Sequence, residues 1–394
     1  MIENKIALVL TLLSLLSWLG LLFFWGQFWR ANQRLDKQSD NLTKYPSVCA
    51  IIPARNEAQM LPQTLPSLLQ QDYPGKFNLI LVDDRSSDRT GEIAQEMAAQ
   101  LDCPQRLQVI LAEALPQGWT GKLWAMSQGI KVAQQQTNSP DYFLFTDADI
   151  QHALTNLNQL VTKAEQENLD LVSLMVLLRC QSFWEQLLIP AFVFFFQKLY
   201  PFPWVNDPQK TMAAAAGGCI LVHSQALQGI GGIAAIRQSL IDDCALAEAI
   251  KSSSKGKKGI WLGLTDSTLS LRPYPSLSSI WDMVARTAYT QLNYSPWLLL
   301  GTLVAMTIIY LVPPIATMGG FLTGNWLIAI AGLSSWLLMA LAYLPTILLY
   351  QRLPLLAFLL PGIALLYNLM TIDSALRHWQ GKGGAWKGRV YPKA

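Results

Sequence analysis

Apolar residues are distributed along this chain in three ways, and each predicts a different environment. The first is the long unbroken run. Ile6 to Trp29 contains no charge in 24 positions, and about 20 suffice for a helix to cross a bilayer. Trp297–Met318, Trp326–Tyr350 and Leu353–Ile372 repeat the pattern, with only Arg352 charged across all three. The second is the short run. Val48–Ile52, Leu79–Val82, Gln108–Leu111 and Tyr142–Phe145 read as strands, and polar residues follow each of them. The third is apolar spacing of three and four. Leu61, Leu65, Leu68 and Leu69 lie in one such stretch over 60–71, Ile93, Met97 and Leu101 in another over 91–101, and a third helix is expected over 123–134. Strands alternating with helices predict an α/β domain built on a doubly wound, mostly parallel sheet. Right-handed crossovers would place the strand ends on one edge of that sheet.

Four regions follow: an anchor and basic linker over 1–44, a polar domain over 45–294, apolar segments over 295–376 and a basic tail over 377–394. No small-residue cleavage pattern follows the first run, so a retained anchor is expected. Arg30, Arg34, Lys37 and Lys44 follow that run and only Lys5 precedes it. By the positive-inside rule the polar domain is cytoplasmic, at a plasma or inner membrane. Arg377, Lys382, Lys387, Arg389 and Lys393 should lie inside too, yet three further crossings would put them outside. Pro354, Pro361 and Gly362 make a re-entrant or interfacial third segment one way to reconcile the count. Within the polar domain, 182–205 crowds Phe192, Phe194, Phe195 and Phe196 among prolines, which favours an interfacial helix seating the domain on the headgroups, with a buried core helix as the alternative.

Charged residues are 14% of the chain, against about 25% in soluble domains. The net charge of +3 is too small to suggest a nucleic-acid partner. Cys49, Cys103, Cys180, Cys219 and Cys244 form no CxxC pair and are expected as free, buried residues. His152, His223 and His378 are scattered, which disfavours a zinc or Ser-His-Asp site.

The chemistry sits where the strands end. Tyr142–Phe145 runs into Thr146-Asp147-Ala148-Asp149. Two carboxylates two positions apart, in the crevice where open α/β sheets bind ligands, supply hard oxygens for Mg²⁺ or Mn²⁺. An Asp-rich turn without metal is the simpler alternative. Pro53-Ala54-Arg55-Asn56-Glu57 ends the first strand and Asp83-Asp84-Arg85-Ser86-Ser87-Asp88 the second. Neither GxGxxG nor GxxxxGK[ST] occurs, so no nicotinamide cofactor or P-loop is supported.

Taken in order, these motifs resemble family 2 glycosyltransferases of the GT-A fold. Gly118-Trp119-Thr120-Gly121-Lys122, Gly217-Gly218-Cys219-Ile220-Leu221 and Ile241-Asp242-Asp243-Cys244 extend the resemblance. The tail Gly383-Gly384-Ala385-Trp386-Lys387-Gly388-Arg389 is similar to that of a membrane-bound subgroup, which includes ceramide glucosyltransferase-like and hopene-associated enzymes. The resemblance implies that Pro53, Glu57, Asp83 and Asp84 line the uracil and ribose of a UDP-linked sugar. Asp147 and Asp149 would bind ribose and the metal-diphosphate, with Asp149 the direct ligand, and Lys122 would lie near the diphosphate. Asp243 would be the catalytic base, with Asp242 as the alternative. The family's (Q/R)xxRW motif is reduced here to Met283-Val284-Ala285-Arg286-Thr287. Arg286 remains a candidate diphosphate contact, while processive polymerisation loses support. The expected reaction is inverting transfer of one sugar to the hydroxyl of a membrane lipid such as a hopanoid, carotenoid, diacylglycerol or sphingoid. The acceptor would enter near Gly217-Gly218 and Phe192–Phe196. Transfer to a polyprenyl phosphate, or a membrane scaffold without catalysis, are the alternatives.

Overall fold

The first apolar run forms a single helix, Ile2–Phe24 (α1), in a computed structural model that describes residues 2–35, 42–254, 256, 258–382, 385–386 and 389–390. Lys37, Gly383, Gly384, Lys387, Gly388 and Lys393 lie outside the described residues. Val48–Ala54 (β1) is buried along its whole length. Leu61–Leu69 (α2), Phe77–Asp83 (β2), Thr90–Gln100 (α3), Leu107–Leu111 (β3), Gly121–Gln134 (α4) and Tyr142–Thr146 (β4) then alternate as the spacing predicts. β1 pairs in parallel with β2 and with β4, and β2 pairs in parallel with β3. Four parallel strand ends therefore share an edge. Burial on both faces explains the near-continuous apolar composition of β1 and β4.

The second half of the sheet departs from simple alternation. Ile150–Gln151 (β5), Asn156–Gln166 (α5) and Leu169–Leu178 (β6) follow β4. Next come Phe183–Leu199 (α6), Phe202–Asn206 (α7), Cys219–His223 (β7), Ser224–Gly229 (α8), Asp242–Ser254 (α9), Gly259–Ser270 (β8) and Leu277–Ala285 (α10). The strand order is β3-β2-β1-β4-β7-β6-β8-β5. β7 runs antiparallel between β4 and β6, and its register sets Cys219 opposite Thr146. That pairing carries Gly217-Gly218 to the end of β4. β5 closes the far edge antiparallel to β8.

Pro296–Met306 (α11) and Val312–Thr323 (α12) are joined through a π-helical turn, and Trp326–Leu349 (α13) and Leu360–Trp379 (α14) follow. Together with α1, four stretches among the described residues are long and apolar enough to cross a membrane, the last being Pro354–Trp379. Pro354 and Pro361 each sit at the start of a helical segment, where a missing N–H costs no hydrogen bond. The 3₁₀ turn at Pro354–Leu359 runs into α14, so both prolines belong to one continuous apolar stretch. Gly332 of α13 lets α12 approach closely, because a Cβ there would meet Thr317 N at 2.8 Å and Pro313 O at 2.9 Å.

The segment expected to lie on the headgroups is largely internal. α6 continues through Pro190, and eight of its 17 residues are buried. Phe194 packs on Tyr343 of α13 at 5.1 Å, and Phe195 on Tyr367 of α14 at 4.9 Å. The Tyr367 hydroxyl donates to Leu188 O at 2.9 Å. The crowded aromatics thus mortar the sheet domain to the apolar helices, instead of lining an open entry for an acceptor. Cys49, Cys180, Cys219 and Cys244 are buried and Cys103 is half-buried, and all five are free.

Glu185 locks the start of α6. Fully buried, it accepts from Gln181 N, Ser182 N, Tyr274 N and Arg179 Nη1 at 2.7–2.9 Å, completing a capping box with Ser182. Burial alone would raise its carboxyl, but those N–H donors hold it below the usual range. Glu185→Ala is expected to cost about 3 kcal/mol at neutral pH. Because the folded carboxyl is depressed, the deficit should shrink as pH falls below the carboxylate range. Thermal unfolding in detergent across pH checks both.

Candidate functional site

Asp147-Ala148-Asp149 links β4 to β5, and the surrounding core fixes this turn from below. Thr64 Oγ1 on α2 donates to Ala148 O at 2.6 Å, and His152 N donates to Ser67 Oγ at 3.0 Å. A buried chain of side chains runs behind the turn. Thr268 Oγ1 donates to Asn156 Oδ1 (3.1 Å), Asn156 Nδ2 to His152 Nδ1 (2.9 Å), and Thr146 Oγ1 to Gly218 O (2.9 Å). His152 Nε2 lies 2.9 Å from Thr146 Oγ1. With Nδ1 accepting and Thr146 giving its own proton to Gly218, the imidazole is neutral and carries hydrogen on Nε2. Burial pushes it down to about 3, so it stays neutral. Scattered in sequence, His152 is thus a strut that couples the Asp147 turn to the Gly217-Gly218 segment.

Two cations partition the carboxylates. Lys122, at the start of α4, places Nζ 3.0 Å from Asp147 Oδ1 and 3.2 Å from Asp242 Oδ2. Asp243, beside Asp242 at the start of α9, accepts from Gly217 N and Cys244 N, both at 2.8 Å. Pro53, Lys122, Asp147, Gly217, Asp242 and Asp243 line one cavity. Burial and the Asp242 charge push the Asp243 carboxyl up to about 6, against the opposing pull of Lys122 and the two N–H groups. The second cation is Arg272, just beyond β8. Its Nε donates to Asp149 Oδ2 and its Nη2 to Glu57 Oε1, both at 2.6 Å.

The remaining sequence candidates flank these pairs. Asp83 Oδ1 accepts from Ser86 N at 2.8 Å, and Asp84, almost fully buried, lies 3.8 Å from Arg55 Nη1. The loops after β1 and β2 are stitched together, with Asn56 N on Ser86 Oγ and Ser87 N on Asn56 Oδ1. Arg286, at the end of α10, is exposed and forms no ion pair among the described residues. Its positive charge and that of Arg272 oppose the upward push that burial and the charges of Asp149 and Asp147 exert on the Tyr274 hydroxyl. Arg272 escaped the sequence reading. The available signal was a lone arginine ending a strand-like run, Leu269-Ser270-Leu271-Arg272-Pro273, but only the β5–β8 pairing aims it at Asp149.

Among the described residues no group of three or more His, Cys, Asp or Glu is arranged to hold a metal alone. A divalent ion shared with a diphosphate nevertheless fits this edge. Such ions take one or two protein carboxylates and complete their shell with phosphate oxygens and water. Glu57, Asp147, Asp149, Asp242 and Asp243 also outnumber the two paired cations, Lys122 and Arg272. An anionic ligand would need added positive charge here. Asp149 and Asp147 could hold it.

Residues 49–231 match the model of the family described as Glycosyl transferase family 2. A 4,4'-diaponeurosporenoate glycosyltransferase of Staphylococcus haemolyticus is 33% identical over 138 residues, 34% of this chain and 33% of that protein. A beta-monoglucosyldiacylglycerol synthase of Trichormus variabilis is 29% identical over 128 residues, 32% of this chain and 25% of that protein. The matches therefore span a third or less of these relatives. In three dimensions the chain resembles mannosyltransferase PcManGT from Pyrobaculum calidifontis, solved with GDP-Man and Mn²⁺. The TM-score is 0.54 at 17% identity, covering 95% of this chain and 99% of that one. That likeness is one of fold, the GT-A arrangement with flanking apolar helices.

Lys122→Met would leave Asp147, Asp242 and Asp243 facing one another without their shared cation. With Asp147 38% exposed, water screens part of the repulsion, and a loss of about 1 kcal/mol is expected at neutral pH. The loss should diminish as pH drops through about 6 and Asp243 takes up its proton. Thermal unfolding at pH 5 and pH 7.5 checks it.

Proposed function

We propose that this chain, whose residues 49–231 form a family 2 glycosyl transferase domain, transfers one sugar from a nucleoside diphosphate donor to a membrane-lipid hydroxyl with inversion. The observation that carries this reading is the Asp243 carboxylate. Two backbone N–H groups hold it in the cavity that Asp147 and Lys122 share. In the proposed step the acceptor O–H gives its proton to Asp243 as its oxygen bonds to the anomeric carbon. The bond from that carbon to the diphosphate breaks, and the electron pair leaves on phosphate oxygen. A carboxyl near 6 is mostly ionised at neutral pH yet basic enough to take that proton. Lys122 lies where it can face the diphosphate, and Asp242 holds Lys122 in place. A divalent ion at Asp149 and Asp147, when bound, would offset the charge developing on the leaving group.

UDP is the proposed nucleotide, with Pro53, Glu57, Asp83 and Asp84 on its base and ribose. Glu57 is held by Arg272 and by Thr90, whose Oγ1 accepts from Glu57 N at 2.9 Å. A lipid acceptor is supported by the four apolar helices that pack against the domain and by the relatives' names, a carotenoid acid and a glucosyldiacylglycerol. A hopanoid, another carotenoid, a diacylglycerol or a sphingoid alcohol all meet the chemical requirement of a hydroxyl on an apolar body. The basic residues after α1, Arg30 and Arg34, support a cytoplasmic catalytic face, where nucleotide sugars are available.

The test is UDP release from UDP-sugars by the purified full chain in detergent, with extracted lipids and Mg²⁺ or Mn²⁺. Asp243→Asn and Asp149→Ala should each reduce turnover by about a hundredfold or more, on the scale of a lost general base or charge stabiliser. In the parent, turnover should fall as pH drops through about 6 while Asp243 gains its proton. Parent-like turnover in both variants would sink the site assignment.

A further inference from the structure

We propose that Arg272 is a built-in counterion that reserves Asp149 and Glu57 until the donor arrives, then passes to its diphosphate, so that metal and nucleotide enter together. This rests on the donor class proposed above and assigns a role to a residue outside the strand-end motifs.

The sheet, and not a wandering loop, delivers Arg272. Ile150 pairs with Ser270 and Gln151 with Leu269, and Leu271 N then donates to Asp149 O at 2.9 Å. The backbone of Arg272 is thereby pinned one residue beyond a hydrogen bond to Asp149 itself. Its side chain engages two carboxylates through different nitrogens, Nε on Asp149 and Nη2 on Glu57. Both carboxylates are almost buried, with side-chain exposures of 9% and 6%, whereas 29% of the Arg272 side chain remains open. A guanidinium has five N–H donors in a fixed fork. The two contacts use two of them and leave donors for phosphate oxygens.

Charge sets the order of events. Glu57 and Asp149 carry two negative charges against one positive. A bare divalent ion approaching Asp149 must displace the Arg272 guanidinium from the oxygen it needs, and Arg272 then loses that partner with nothing to replace it. When the ion arrives with a diphosphate, the phosphate oxygens give Arg272 the partner it would otherwise lose. Arg272 would then hold the leaving group from the Asp149 side, opposite Lys122 at Asp147.

The experiment measures Mn²⁺ bound to the full chain in detergent by electron paramagnetic resonance, with and without UDP, and with GDP as a second nucleotide. For the parent, Mn²⁺ affinity should rise at least tenfold when UDP is present. In Arg272→Gln, Mn²⁺ alone should bind at least tenfold tighter than in the parent, and affinity for Mn²⁺-UDP should fall about tenfold. Arg272→Lys, which keeps the charge without the fork, should restore the weak binding of Mn²⁺ alone but only part of the nucleotide affinity. An Arg272→Gln profile matching the parent, in protein whose circular dichroism is unchanged, overturns the proposal and leaves the donor reading intact. The proposal is equally overturned if the parent binds Mn²⁺ as tightly alone as with UDP. Absence of nucleotide binding to the parent, with either nucleotide and Mn²⁺, overturns the donor reading and this proposal with it.

Discussion

The arrangement of this protein depends on confining too much negative charge at one edge of a sheet. Glu57, Asp147, Asp149, Asp242 and Asp243 arrive from the loop after β1, from the β4–β5 turn and from the start of α9, and among the described residues Lys122 and Arg272 form ion pairs with four of them. Carboxylates brought this close in a poorly hydrated crevice repel one another, and one of them, Asp243, holds its proton up to about 6. Such an edge tolerates a polyanion only with added cation. It follows that the pocket suits a phosphate ester accompanied by a divalent ion better than either alone.

Hydrogen bonds hold the Asp147 turn from behind. The Thr268–Asn156–His152–Thr146–Gly218 chain links the polar side chains there to one another and to the Gly217-Gly218 segment. Gly217 extends the same logic on the other side. A Cβ at that position would meet Lys122 Nζ at 3.2 Å and Asp243 Oδ2 at 3.3 Å, so a side chain would push apart the groups that define the cavity.

The apolar helices are part of this architecture. α6 is wedged between the sheet domain and α13 and α14, with Phe194 and Phe195 packed at an angle against tyrosines of those helices. Glu185 at its start also binds Tyr274 N, two residues from Arg272. The acidic edge and the helical bundle therefore share one strut. A lipid reaching Asp243 from the bundle side would meet a surface whose position is set by the same packing.

Much of this was legible in the chain alone. Uncharged runs of more than 20 residues can do little other than span or pack as helices, and short apolar runs ending in acids announce a parallel sheet with its chemistry at one edge. Local composition determines both, because burial and hydrogen bonding are decided residue by residue. The segment 182–205 misled, since aromatics suit a headgroup boundary and a helix–helix seam equally, and only its partners on α13 and α14 distinguish them. His152 and Arg272 carried no local signal of their roles. A lone histidine or arginine acquires meaning from what faces it, and the antiparallel returns of β7 and β8 decide that by bringing residues 72 to 123 positions apart into hydrogen-bonding distance. The sequence determined which acids stand at strand ends. Tertiary structure alone decided which cation guards each of them, because that depends on strand register, which no local pattern encodes.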